Sequence, residues 1–438
     1  MDLRNCPLES LVTYSGTDAT LWHSKLAGIS PAACRLCGAP LTRSFADLRL
    51  SPLANSFVRP DRGNMMEAFY PLHAFVCDMC LLVQLAEFET PKAIFGEYLY
   101  FSSYSPSWLR HAETYVRRQV ERFGLGAGTL VVEIASNDGY LLQYAAQAGM
   151  SVLGVEPAAN VAAIAKEKGI PTEVAFFGAE TAARLRAAGH APDLMVANNV
   201  VAHVPDLHDF LEGFRVLLGA SGVATFEFPH LQRLIDERQF DTIYHEHFSY
   251  LSLQVMERAL AEHGLTVFDV EELGTHGGSL RVYARHAVNG ALPLTEAVAR
   301  IREGERRFGL SNLATYDRFA EDIVSIKCNL VEFLIGARRQ GKSVAGYGAP
   351  AKGNTLLNYC GVGPELIRFT VDASPHKQQM LLPGTRIPVL HPDAIRQARP
   401  DFLLILPWNL KEEIMAQMAD IRGWGGHFVV PIPKLAVL

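Results

Sequence analysis

From Thr129 onward, short apolar runs alternate with helix-length segments, and this alternation leaves few architectures open. Thr129–Ile134, Val152–Glu156 and Asp193–Ala197 have the composition of buried strands. Helical patterns near Tyr140–Ala148, Asn160–Lys168 and Leu207–Leu218 separate or follow them. Strand–helix alternation implies a parallel sheet covered by helices on both faces. Two late strands, near Leu265–Val270 and Leu280–Ala284, flank Thr275–Ser279 and are expected to close this region as a hairpin. A helical region from about Leu294 to Arg339 follows, with one or two breaks. A second α/β pattern then begins, with strands at Ser343–Tyr347, Arg368–Asp372 and Phe402–Leu406 and a helix over Lys352–Tyr359.

Ahead of the alternation, Trp108–Phe123 reads as an amphipathic helix ended by Gly124-Leu125-Gly126-Ala127-Gly128. Residues 31 to 105 have many short apolar runs, few helix patterns and two Cys-x-x-Cys pairs, Cys34/Cys37 and Cys77/Cys80. Each pair lets two thiolates bind one ion from a tight turn, and two such turns complete a tetrahedral site. Zinc suits four thiolates best, and Gly38 suits the turn. A closed four-thiolate site leaves no open position, so its expected role is structural. The chain is accordingly read as α/β with a small zinc-binding module at 1–105, a central Rossmann-like domain at 106–290, and a second Rossmann-like α/β domain at 291–438.

With 438 residues, two or three domains are expected. The 49% hydrophobic content permits a sizeable core, and the net charge of −6 without a basic cluster argues against nucleic acid. The start lacks a secretion-signal layout and no membrane-length apolar run occurs, so a cytoplasmic protein with no membrane partner is expected. Seven unevenly placed cysteines do not form a secreted disulfide pattern.

Two further segments bear on chemistry. In Val131–Tyr140, Glu133 lies at a strand end and Gly139 opens a helix, the position of a nucleotide-binding turn, although Ala135 and Asn137 stand where glycines are common. Asn137 and Asp138 also read as simple helix caps. Glu156 ends the following strand, where a carboxylate can accept from both ribose hydroxyls. Asn198 and Asn199 end the next strand. The second segment, Phe240–Phe248, sets Tyr244, His245, Glu246 and His247 side by side, groups that titrate near neutrality when partly desolvated.

Taken together, the paired cysteines, VEIASNDGYLL at 132–142, NNVVAHVPD at 198–206, residues 227–250, THGGSLRVY at 275–283 and GYGAPAKGNTLL at 346–357 resemble the sugar C-methyltransferases, which act on nucleotide-linked keto-deoxysugars. The likeness spans nearly the whole chain, in the same module order. It implies S-adenosylmethionine as the methyl donor, held by Glu133, Ala135, Asn137, Asp138, Gly139, Glu156, Asn198 and Asn199. It implies C-methylation, expected at C3 of a 4-keto-6-deoxy sugar on a nucleoside diphosphate, through a base-generated enolate. The base role falls on His247, with His245 an alternative. Tyr244 and Glu246 would orient the base or bind the sugar, and Tyr98, or Tyr100 in its place, would approach it. His276, Arg281 and Lys352 are the expected substrate contacts. Competing readings are an O- or N-methyltransferase of a small metabolite, and a non-catalytic protein that binds zinc and a nucleotide sugar.

Overall fold

The computed structural model describes residues 32–90 and 101–438. Three antiparallel strands open the fold: β1 (Arg43–Ser51), β2 (Tyr70–Val76) and β3 (Val83–Leu85). Cys34 and Cys37 precede β1, and Cys77 and Cys80 occupy the turn between β2 and β3. The two turns share one hydrogen-bonding pattern. Gly38 N–H donates to Cys34 O, and Leu81 N–H donates to Cys77 O, both at 2.9 Å. Gly38 (φ +72°) and Leu81 (φ +64°) are both left-handed, so the second turn adopts a conformation that favours glycine with a leucine in place.

The central region begins with a helix at Pro106–Phe123, two residues earlier than the sequence pattern predicts. Ser105 caps it by accepting from Trp108 N–H, and left-handed Gly124 ends it. Strands β4 (Leu130–Ile134), β5 (Ser151–Val155), β6 (Thr172–Glu173), β7 (Leu194–Asn198) and β8 (Val223–Pro229) pair in parallel. After β8 come β9 (Ser249–Tyr250), β10 (Leu265–Leu273) and β11 (Ser279–His286). β10 and β11 form the expected hairpin, and β11 adds antiparallel to β8, giving the order β10-β11-β8-β7-β4-β5-β6. β9 does not join this sheet. It pairs with β3, Val83 opposite Tyr250 and Gln84 opposite Ser249. The segment with Tyr244 and His247 is thereby tied to the cysteine-bearing module.

Helices at Glu296–Phe308, Leu313–Asp317 and Phe319–Arg339 form the predicted helical stretch with its two breaks. The third sheet contains β12 (Val344–Tyr347), β13 (Thr370–Val371), β14 (Val389–Leu390), β15 (Phe402–Ile405), β16 (His427–Val430) and β17 (Ala436–Val437). Its order is β14-β13-β12-β15-β16-β17, parallel except for β17. Among the described residues, no helix is long and apolar enough to cross a membrane.

Two apolar cores fuse these parts. Phe45 of β1 stacks on Phe319 at 4.7 Å, inside one core that continues through Ile326 and Leu330 to Val344 and Leu403 of the third sheet. The cysteine turns belong to a different core, with Leu36 and Leu82 among Leu207, Phe210 and Leu253 of the central region. The small module is therefore a wedge between the two α/β units, and burial on both sides keeps it there.

Candidate active site and metal centre

The sulfur atoms of Cys34, Cys37, Cys77 and Cys80 all lie within 4.8 Å of one another. The closest pairs are Cys34–Cys80 at 3.4 Å and Cys37–Cys77 at 3.5 Å. Tetrahedral zinc with Zn–S bonds near 2.3 Å separates its sulfurs by about 3.8 Å, so the donor set fits that ion. Gln84 Nε2–H donates to Cys34 Sγ at 3.1 Å and Met79 N–H to Cys77 Sγ at 3.4 Å, contacts that favour thiolate.

A cavity of about 780 Å³ opens where the three sheets meet. Ala135, Asn137, Glu156, Asn198 and Asn199 line one end of it, at the carboxyl edge of β4, β5 and β7. Ala135 (φ +52°) and Asn137 (φ +50°) take the left-handed conformations that glycine supplies elsewhere. Asparagine tolerates this; alanine is held there against its preference. Asn137 N–H and Ala158 N–H, each at 2.9 Å, donate to separate oxygens of Glu156 and fix its carboxylate. Each oxygen keeps a second acceptor direction. The side-chain amide atoms of Asn199 are buried with no hydrogen-bond partner among the described residues, an unmet polar requirement at the cavity wall. These groups suit an uncharged ribose and an amino-acid moiety, so an adenosyl-methionine ligand fits.

The other residues expected at this end lie behind it. Glu133 is fully buried beside Tyr140, and burial holds its carboxyl well above the usual range. Asp138 pairs with Lys168 at 3.1 Å, and Gly139 packs on Ile170. They support the loop and do not line the cavity.

Tyr244, Glu246 and His247 also line the cavity. His247 Nδ1–H donates to Thr242 O at 2.8 Å. A carbonyl can only accept, so in the neutral ring Nε2 carries the bare lone pair. Burial, then the nearby His203 ring, keeps the imidazole pKa well below its ordinary value. The Tyr244 ring lies 4.0 Å from that of His247, and His203 meets it edge-on at 4.6 Å. His203 is itself pushed down to about 4 by burial. His245 is turned away. Its Nε2–H donates to Pro71 O at 3.2 Å and its ring meets Tyr70 and Phe88, off the cavity. Tyr98 and Tyr100 lie outside the described residues.

Glu246 accepts from Asn55 Nδ2–H at 2.6 Å, and burial raises its carboxyl to about 7. The folded state thus binds this proton more firmly than the unfolded chain, whose carboxyl titrates near 4.5. Ionising Glu246 costs nothing below that value, progressively more up to pH 7, and its full amount above. Glu246→Gln is therefore expected to unfold later than the parent at pH 8, by about 3 kcal/mol, with the gap closing by pH 4.5. Thermal melts at both pH values check this; an equal gap at both would refute it.

The third sheet supplies Lys352 and Lys377, near the start of the helix Ala351–Cys360. Burial lowers the Lys352 pKa, opposed by Asp241. His276 also lines the cavity and is held down to about 4 by burial and then by Lys352. Arg281 does not reach it. Its guanidinium donates to buried Glu227 at 2.8 Å and half-buried Glu271 at 3.0 Å and lies over the Tyr115 ring, so it neutralises those carboxylates and has no free face for a substrate. Asn55, Trp108, His203 and Lys377 are cavity residues that sequence reasoning did not single out. Only His203 had a signal, its place in the 198–206 motif.

Three family models match the chain in succession: "Putative zinc binding domain" over residues 34–95, "Methyltransferase domain" over 108–270 and "C-methyltransferase C-terminal domain" over 274–433. The C-methyltransferase NovU of Streptomyces niveus is 38% identical over 405 residues, covering 92% of this chain and 96% of that protein. Among solved structures, the magnesium protoporphyrin IX methyltransferase of Synechocystis PCC 6803 with bound SAM matches at TM-score 0.31 and 16% identity, over 40% of this chain and 78% of that one. An S-adenosylmethionine-dependent methyltransferase of Mesorhizobium loti matches at TM-score 0.31 and 19% identity, over 40% and 97%. Identity sustained across all three parts of the chain, together with the four-cysteine centre and a cavity suited to the methyl donor, means that this chain belongs to the C-methyltransferase family and is an S-adenosylmethionine-dependent enzyme.

Proposed function

We propose that this C-methyltransferase alkylates C3 of a 4-keto-6-deoxy sugar linked to a nucleoside diphosphate, with His247 as the base. Bound S-adenosylmethionine supplies an electrophilic methyl group. A C–H bond is not nucleophilic, so the acceptor carbon must first lose a proton, and a neighbouring carbonyl makes that loss feasible. The observation that supports His247 is its tautomer: Nδ1–H is committed to Thr242 O, which leaves Nε2 bare on a ring at the cavity wall. Tyr244, whose ring packs against it at 4.0 Å, restricts its orientation. Glu246 and His276, both on the cavity wall, would hydrogen-bond the sugar together with Tyr98. Lys352, Lys377 and the N-terminal turn of the helix Ala351–Cys360 offer positive potential for a diphosphate. Glu156, Asn198 and Asn199 would hold the donor at the opposite end, so the base lies between the two ligands.

The test is proton exchange without methyl transfer. Incubated in D2O with S-adenosylhomocysteine, the enzyme is expected to wash deuterium into C3 of thymidine diphosphate 4-keto-6-deoxyglucose. Mass spectrometry and NMR locate the label. An O- or N-methyltransferase has no reason to exchange a carbon-bound proton, so a sugar that stays unlabelled here, yet is methylated when S-adenosylmethionine replaces S-adenosylhomocysteine, would favour that reading instead.

A further inference from the structure

We infer that Asp241 and Trp408 form a positioning pair, which holds the Lys352 ammonium at the cavity wall and locks the His247 segment onto the C-terminal domain. The inference rests on the proposed role of Lys352 in binding the acceptor's diphosphate. Both members of the pair are internal: Asp241 is 0% and Trp408 6% exposed. Trp408 Nε1–H donates to Asp241 Oδ2 at 2.7 Å. The Lys352 ammonium sits 4.3 Å from the centre of the same indole ring and donates to Asn409 Oδ1 at 2.9 Å. The indole therefore meets the carboxylate with its electropositive N–H edge and the ammonium with its electron-rich face. A hydrogen bond from N–H to an anion draws electron density into the ring, so each contact strengthens the other.

The far edge of the indole closes on Gly277, where an added Cβ would come within 2.7 Å of Trp408 Cη2. Gly277 follows His276, so one ring buttresses two cavity residues from different parts of the chain. Asp241 also belongs to the base's own segment. The next residue, Thr242, receives the His247 Nδ1–H bond, and Ile243 O accepts from Thr355 Oγ1–H of the helix that begins beside Lys352. The groups that share the field of Lys352 are Asp241, His247 and His276, with Glu246 and Lys377 also at the cavity. Asp241 favours the charged ammonium, whereas burial disfavours it.

Calorimetry with thymidine 5′-diphosphate and S-adenosylhomocysteine, on the zinc-loaded enzyme, tests the pair. Lys352→Ala is expected to weaken diphosphate binding at least tenfold. Asp241→Asn keeps an acceptor for the indole N–H but removes the charge. It should weaken binding three- to tenfold at unchanged melting temperature and move the alkaline loss of binding to lower pH. Trp408→Phe keeps a ring face but strands the carboxylate, and should lose both affinity and stability. In the double variant Asp241→Asn/Trp408→Phe, stability should recover while affinity does not, a split that a purely structural role would not produce. Should Asp241→Asn and Trp408→Phe bind within twofold of the parent, with the alkaline limb unmoved and Lys352→Ala weakened, the pair is refuted and the Lys352 reading stands. Should Lys352→Ala bind like the parent, that reading falls and the pair's role falls with it.

Discussion

Replacing His247 with asparagine is expected to lower kcat by about 10²–10⁴ while the affinity for S-adenosylmethionine stays within about twofold. Asparagine can still donate to Thr242 O, so the local turn survives, but it has no basic nitrogen to take the acceptor's proton. The cavity end assigned to the donor is built from Asn137, Glu156 and Asn199 and is untouched. His245→Asn is the matched control. His245 packs on Tyr70 and Phe88 and donates to Pro71 O, so its loss should lower the melting temperature and leave kcat within about tenfold. Steady-state kinetics with deuterium wash-in on both variants separates the two. If His247→Asn still exchanges C3 at the parental rate and His245→Asn does not, the assignment is reversed.

That separation was not legible in the sequence, where the two histidines are equivalent neighbours of Glu246. In an extended strand, positions two apart share a face. Here a turn intervenes, with His247 N–H donating to Tyr244 O at 2.8 Å, and the two rings leave in different directions. Long-range pairing hid other features too. β8 has the sequence VATFEFP, and its charged Glu227 breaks what would be a buried apolar run. Only the fold explains it, by bringing Arg281 and His111 to that carboxylate. Together they more than offset the upward push of burial on its pKa. β9 is two residues long and exists only because β3 is beside it. What could be read was local: the alternating strands, the hairpin at β10 and β11, the amphipathic helix from Trp108 to Phe123 with its glycine stop, and the four cysteines. The loop after β4 stood between these cases. Its position was clear from pattern, but not its capacity to hold Ala135 and Asn137 in left-handed conformations. The contacts that stabilise it come from β5, through Ser136 N–H to Val155 O and Asn137 N–H to Glu156.

Losing the metal centre should cost more than local order. Cys77→Ser is expected to abolish stoichiometric zinc, expose the first module to protease, and reduce kcat to a few per cent or less. Structural zinc contributes about 10–16 kcal/mol to a small module, as much as the whole stability of a typical domain. The ion also ties two cores together, because β1 to β3 pack into one and the cysteine turns, through Leu36 and Leu82, pack into the other. The damage would travel to His247 by short steps. Gln84 Nε2–H donates to Cys34 Sγ, its Oε1 accepts from Arg35 N–H at 2.9 Å, and its backbone pairs with Ser249, two residues past His247. Arg35, between the first two cysteines, donates to Pro205 O at 2.6 Å and to Leu85 O, and its guanidinium lies over the Phe248 ring. Phe248 N–H in turn donates to Ala202 O at 2.7 Å, beside His203. The zinc turn thus clamps both histidine-bearing loops from behind. Arg35→Met separates clamp from metal: it should keep its zinc, measured by chelator release, yet lose at least tenfold in kcat. A zinc-free Cys77→Ser enzyme with parental melting temperature and turnover would show that the module neither needs the ion nor transmits its geometry to His247.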